Sequence, residues 1–154
     1  MSVLGLPADW RFAVFNGTGI AISNAPTGLP RVSGRRVRID ATTGFLSYEA
    51  AETTFFSFAA ASIGNNSYIV GDTSFSNTVS SWMAGDFLLS AFASGNASGS
   101  LNLYLEISTD GGTTWPTPVS ANGPGGGILV ATIGFGSLTT ISTASTLQRI
   151  VFEL

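Results

Sequence analysis

Residues 101–116 read LNLYLEISTDGGTTWP, and this stretch constrains the fold more than any other. Leu101, Leu103, Leu105 and Ile107 alternate with Asn102, Tyr104 and Glu106, the period of a strand with one apolar and one polar face. The strand runs into Asp110-Gly111-Gly112, residues that tolerate the positive φ of tight hairpin turns. Trp115 then supplies a large anchor, and Pro116 cannot donate to a central ladder.

Similar signals recur along the chain. Residues 10–15 (WRFAVF) are β-prone and are closed by Asn16-Gly17-Thr18-Gly19, with residues 20–22 as a second short run. Two prolines and a glycine make 24–30 a loop. Residues 1–30, poor in anchors and rich in breakers, are expected to form an N-terminal arm or edge segment that packs on a neighbour. Residues 35–40 (RRVRID) put Val37 and Ile39 on one face and Arg36 and Arg38 on the other. Residues 41–44 turn the chain and 45–49 (FLSYE) return it as a hairpin. Further strands are expected at 53–58, 68–70, 87–92, 128–133 and 147–154, with loops over 94–100 and 116–127. In the last strand Ile150, Phe152 and Leu154 alternate with Arg149, Val151 and Glu153. Residues 59–61 allow a helical turn and 74–83 one or two amphipathic turns, but no capping box or 3.6-residue stripe supports a longer helix. Roughly eight short strands with turn chemistry between them predict an all-β chain, an antiparallel β-sandwich or jelly roll with little helix. Residues 31–154 are expected to form its single domain.

Composition bears on function. The 154 residues are 44% hydrophobic but only 10% charged, well under the roughly 25% of an ordinary soluble domain. Solubility then rests on Ser, Thr, Asn and Gly, or much of the surface is covered by partners, and both readings favour an assembled protein. A net charge of −3 gives no general attraction to nucleic acid. All six positive charges are arginines, and neither His nor Cys occurs. Disulfides, Cys/His zinc sites and triads built on those residues are therefore excluded. Residues 1–7 show no basic stretch followed by an apolar core, so no secretory signal is expected. No apolar run reaches the 18 or so residues of a membrane helix, so no membrane partner is expected.

Several clusters invite a chemical reading. Arg35, Arg36 and Arg38 form the basic cluster, which suits a solvated strand face or an inter-subunit contact with carboxylates better than a phosphate site. Asp40, Glu49 and Glu52 lie close in sequence, as a glycosidase pair would, but without a pattern of aromatic subsites. Gly125-Gly126-Gly127 lacks the Lys and the helix of a phosphate loop. Asp72 with Asp86, or the Asp110 turn, offers oxygen ligands for calcium without EF-hand spacing. The expectation is a chain with no catalytic residues, no metal and no cofactor.

Ser108-Thr109-Asp110-Gly111-Gly112-Thr113-Thr114-Trp115 resembles the Asp-box of sialidases, Ser-x-Asp-x-Gly-x-Thr-Trp. In proteins that carry it the box is a structural hairpin away from the catalytic centre. Ser108, Asp110, Gly112, Thr114 and Trp115 are accordingly expected to build a rigid turn: Asp110 accepts turn amides, Gly112 supplies the backbone freedom and Trp115 packs back.

Taken together, 34–48 (GRRVRIDATTGFLSY) and 103–116 resemble small virion proteins of tailed bacteriophages. The shared pattern is an NGTG element, here 16–19, then a basic strand with a G-x-L-S-Y return, then a STDGG-T-T-W-P hairpin and an apolar final strand. The resemblance implies a non-enzymatic structural protein of a phage virion, assembled in the bacterial host cytoplasm through symmetric contacts. Its partners would be copies of itself and other virion proteins. The tail tip, baseplate or fibre attachment is the first expectation, and a capsid decoration (cement) protein the alternative. A carbohydrate-binding module for host attachment is the third, and it would need an exposed platform built from Tyr48, Tyr68, Trp82, Tyr104 or Trp115.

Overall fold

The structure, a computed structural model, describes residues 6–23, 28, 30–78, 82–93, 97–116, 126–135 and 146–153, with the backbone alone at 92, 93 and 146–153. The described residues contain no helix. In chain order the strands are β1 (Asp9–Gly17), β2 (Ile22–Ser23), β3 (Arg31–Ile39), β4 (Leu46–Tyr48), β5 (Thr53–Phe56) and β6 (Ser62–Ile63). They continue as β7 (Ser67–Val70), β8 (Phe75–Ser76), β9 (Ala84–Ala93), β10 (Gly99–Ser108), β11 (Ile128–Phe135) and β12 (Thr146–Glu153).

Two antiparallel five-stranded sheets pack face to face as a β-sandwich. The first has the order β11-β10-β1-β7, the second β12-β9-β3-β4. Both follow one plan. A long strand, β1 or β3, pairs along one side with another long strand, β10 or β9. Its other side is shared by two short strands, β7 and β8 beside β1, β4 and β5 beside β3. Ile22–Ser23 and Ser62–Ile63 form a separate two-stranded ladder.

The alternation of 101–107 is realised in β10: Leu101, Leu103 and Leu105 are buried and Ile107 is half-buried. Opposite them, Trp10, Phe12 and Val14 of β1 point inward and are fully buried. Asp9–Gly17 is therefore neither an arm nor an edge. It is hydrogen-bonded on both sides, to β10 over its whole length and to β7 and β8 along the other edge. Gly and Asn breakers after residue 15 make this stretch look isolated, but its three inward side chains belong to the core.

An aromatic cluster joins the two sheets. Trp10 stacks on Phe55 at 5.7 Å and on Phe75 at 4.9 Å, and Phe87 meets Phe12 and Phe55 edge-on at 5.5 and 5.0 Å. Offset and edge-to-face contacts of this kind add to the area the rings bury.

Elsewhere the sequence expectations hold unevenly. Phe75–Ser76 is a short strand rather than part of a helical turn, because Asn77 ties the following loop. Its side-chain amide donates to Leu6 O and Trp82 O, and its Oδ1 accepts the Trp82 N–H. Residues 59–61 are bent chain, not helix. Parts of the loops expected over 24–30, 94–100 and 116–127, residues 79–81 and the side chains of the last strand lie outside the described residues.

Replacing Trp10 by Ala removes a ring that both sheets contact and is expected to cost about 3–5 kcal/mol of stability. A residue on a detachable arm would cost almost nothing. Denaturant titration of the two proteins separates these outcomes.

Candidate functional site

The corner after β10 shows what the Asp-box residues do. Asp110 Oδ1 accepts from Ser108 Oγ at 2.8 Å and from the Thr113 and Thr114 amides at 3.1 and 2.8 Å. Its Oδ2 accepts from Thr114 Oγ1 at 2.6 Å. Gly111 and Gly112 have φ of 73° and 82°, the left-handed region that glycine enters without strain. Ser108 Oγ also accepts the Gly112 amide, and Trp115 Nε1 donates to Gly112 O at 3.1 Å. All of these polar groups are used within the motif itself. The hydrogen bonds, those from Thr114 first, hold the Asp110 carboxyl at a pKa of about 2. Among the described residues the next strand is β11, which begins at Ile128 and pairs with β10, so residues 109–116 form a corner at the end of β10.

A network that sequence reasoning missed anchors this corner. Glu106 belongs to the polar row of β10, facing away from the core, yet it is fully buried. Arg11, its register partner on β1, donates to Glu106 Oε2 at 2.7 Å, and the Tyr68 hydroxyl donates to Oε1. The Arg11 guanidinium lies 4.4 Å from the Trp115 ring centre. Burial first, then the bond to Glu106, raises the Tyr68 phenol well above its usual pKa, so it stays a donor at any physiological pH. The only signal for this network is the long-range pairing of β1 with β10.

Asn16 of the NGTG element is also structural. Fully buried, it donates to Ile20 O at 2.7 Å, Ile63 O at 3.0 Å and Gly64 O at 3.1 Å, while its Oδ1 accepts from Thr18. Gly99 sits against this turn so closely that a Cβ there would lie 2.3 Å from Gly17 O.

The basic cluster is split by the pleat of β3. Arg36 and Arg38 occupy the inward row. The Arg36 backbone N–H donates to Glu49 Oε2 at 2.8 Å and its guanidinium to Oε1, while the group also lies over Phe55, Phe75 and Trp82. Arg38 lies 5.0 Å from the Trp82 ring centre. Guanidinium is weakly hydrated and planar, so aromatic faces can cover it where an ammonium would resist burial. Two of the three arginines proposed for an inter-subunit contact are thus used inside the chain. Arg35 alone of the three is exposed, in the outward row.

Of the apolar members of that outward row, Val37 is half-buried and Ile39 exposed. Ile39 is 50% exposed, and on the facing strand Leu46 is 67% and Tyr48 52% exposed, with Phe45 at 76% on the tip. Register pairs Ile39 with Leu46 and Val37 with Tyr48, so these side chains form one contiguous patch. The tip is held by Asp40, whose Oδ1 accepts the Thr42 and Thr43 amides at 3.0 and 2.8 Å, chiefly the latter lowering its pKa. Next to the patch is an open groove of about 400 Å³, lined in part by Ser33, Arg35, Tyr48, Glu52, Asp86 and Leu88. Arg35 and Asp86 are directly opposed across β3 and β9, yet neither forms an ion pair with a described residue. Patch and groove together are the candidate site, an interaction surface.

The carboxylates considered for chemistry are scattered. Asp40 is bound by its own turn, Glu49 by Arg36, and Glu52 shares the groove with Asp86. Asp72 accepts from the Ala59 amide. Among the described residues no three acidic side chains converge as metal ligands. The five rings considered for a glycan platform are divided as well. Tyr68, Tyr104 and Trp115 are half-buried on the outer side of the first sheet, Trp82 is covered by Arg36 and Arg38, and Tyr48 stands on the second sheet.

Removing Arg11 alone, as Arg11→Met, leaves the Glu106 carboxylate buried without its cation and is expected to cost about 3 kcal/mol. Adding Glu106→Leu is expected to recover most of that loss, as a double-mutant cycle by chemical denaturation will show. Asp110 stabilises the fold fully above its ordinary pKa of 3.8 and loses that contribution as pH falls towards about 2. The stability gap between wild type and Asp110→Asn should therefore be constant near neutrality and close across that acid window, measured by thermal melts at stepped pH.

The chain matches no protein-family model, and no curated protein or solved structure aligns with it.

Proposed function

We propose that this chain is a non-enzymatic structural component of a tailed-phage particle, tail-associated at the tip, baseplate or fibre attachment, and that it self-assembles. The observation that carries the assembly part is the exposed apolar patch of Ile39, Phe45, Leu46 and Tyr48 on a chain only 10% charged. Contiguous apolar surface of this kind marks a contact with other protein. The phage assignment rests on the likeness of 34–48 and 103–116 to small virion proteins. In keeping with a scaffolding role, the hydrogen-bonding groups of the corner at Asp110 and the turn at Asn16 are used to hold one segment of the chain against another.

Reconstruction of the intact particle, with copy number by quantitative mass spectrometry, tests the proposal. On the order of tens of copies at the tail is the expected result, and hundreds over the head would make it a decoration protein. Absence from purified particles overturns both. Binding of the isolated chain to host glycans, abolished by Tyr48→Ala, would replace them with the attachment reading.

A further inference from the structure

We infer that the outer face of the β3–β9 sheet is a two-fold interface between copies of this chain, closed by reciprocal Arg35–Asp86 ion pairs. The inference rests on the self-assembly reading and names its surface and partner. The first argument is charge. The outward row of β3 presents Arg31 and Arg35, and Glu52 and Asp86 lie beside it, two charges of each sign on a chain with few. Within one chain Arg35 and Asp86 occupy opposed positions without closing to ion-pair distance. A two-fold axis lying between β3 and β9, parallel to them, lays β3 of one copy over β9 of the other. Arg35 of each copy then meets Asp86 of its mate, and the same operation makes the contact twice. A face with both signs of charge, balanced, attracts its own copy, whereas a single-sign face repels it.

The second argument is apolar continuity. The same operation carries the Ile39, Leu46 and Tyr48 patch onto the mate, beside the ion pairs rather than on top of them. The face spans nine residues of β3 and four strands, which at about 3.3 Å per residue and 4.8 Å between strands is roughly 30 by 15 Å. That footprint is about 450 Å² per copy, roughly 900 Å² in all, the size of a reversible rather than a permanent dimer contact. Apolar contact at the hairpin with charge pairing in the groove has the composition of a specific interface rather than of a sticky patch.

Charge exchange tests this in solution by sedimentation velocity. Wild type is expected to sediment as a dimer. Arg35→Asp brings two carboxylates together at each contact and Asp86→Arg two guanidiniums, so each variant alone is expected to dissociate at least tenfold more readily. Mixed in equal amounts, the two variants supply opposite charges at both contacts, and dimers are expected to return. The double variant R35D/D86R is also expected to dimerise. Within each chain the exchanged residues still face a like charge after mixing, so recovery on mixing reports contact between chains. Leu46→Ser, on the exposed face of β4, is expected to weaken the dimer while leaving the melting temperature of the monomer, measured below the dimerisation concentration, unchanged. A monomeric wild type overturns the inference, as do single variants that dimerise as wild type does. A self-associating wild type indifferent to both charge changes overturns this surface and leaves self-assembly standing. Absence of the chain from purified particles overturns the virion reading and leaves the dimer standing.

Discussion

The sandwich depends on Trp10. Its ring lies between the sheets, stacked on Phe55 from one and Phe75 from the other, with Phe12 and Phe87 against it edge-on. The leucines of β10 need a facing layer, and these rings bring that layer to the right distance. Aromatic side chains bury much area with few rotatable bonds, so a chain with short strands and many glycines still forms a defined core. Trp10 does this at a cost. Its indole N–H is buried without an acceptor among the described residues, a penalty that the ring contacts offset.

Polar groups close the ends of the sandwich. Asn16, Asn77, Asp40 and Asp110 each gather several hydrogen-bond partners from short irregular segments. One polar side chain thereby replaces the main-chain ladder where the ladder stops, which is why so few hydrophobic anchors hold so many turns. The Glu106–Arg11–Trp115 contact goes further and fastens the corner after β10 to the opposite strand of the same sheet. Stability is concentrated inside the sandwich and at these ties, leaving the β3–β4 hairpin free to present apolar side chains outward.

Much of this architecture was legible in the sequence. Period-two alternation marked β10, β3 and β12, and the Asp-box spacing marked a turn whose every named residue has a structural bond. Local pattern failed where long-range pairing decides. Glu106 sits in a polar row and looks solvated, but Arg11 and Tyr68 reach it from two distant segments, with Trp115 lying against Arg11. Arg36 and Arg38 look like an exposed basic face, but Phe55, Phe75 and Trp82 arrive from other segments to cover them, and Val37 and Ile39 are turned outward instead. Residues 9–17 look like an arm because their partners in β10 lie some ninety residues away. The candidate surface was legible only in part: Arg35 was named, while its opposed Asp86 belongs to a strand whose register no local signal fixes.

That separation between β1 and β10 has a consequence for biosynthesis. During translation the first strand emerges with Trp10, Phe12 and Val14 on one side and an unpaired backbone edge. The strand that completes it is still unmade. At about 10 residues per second the wait is roughly ten seconds. β7 and β8 reach one edge of that strand first, and the other edge stays open until β10 is made, so in the interval the nascent chain exposes an apolar segment that a holding chaperone would recognise.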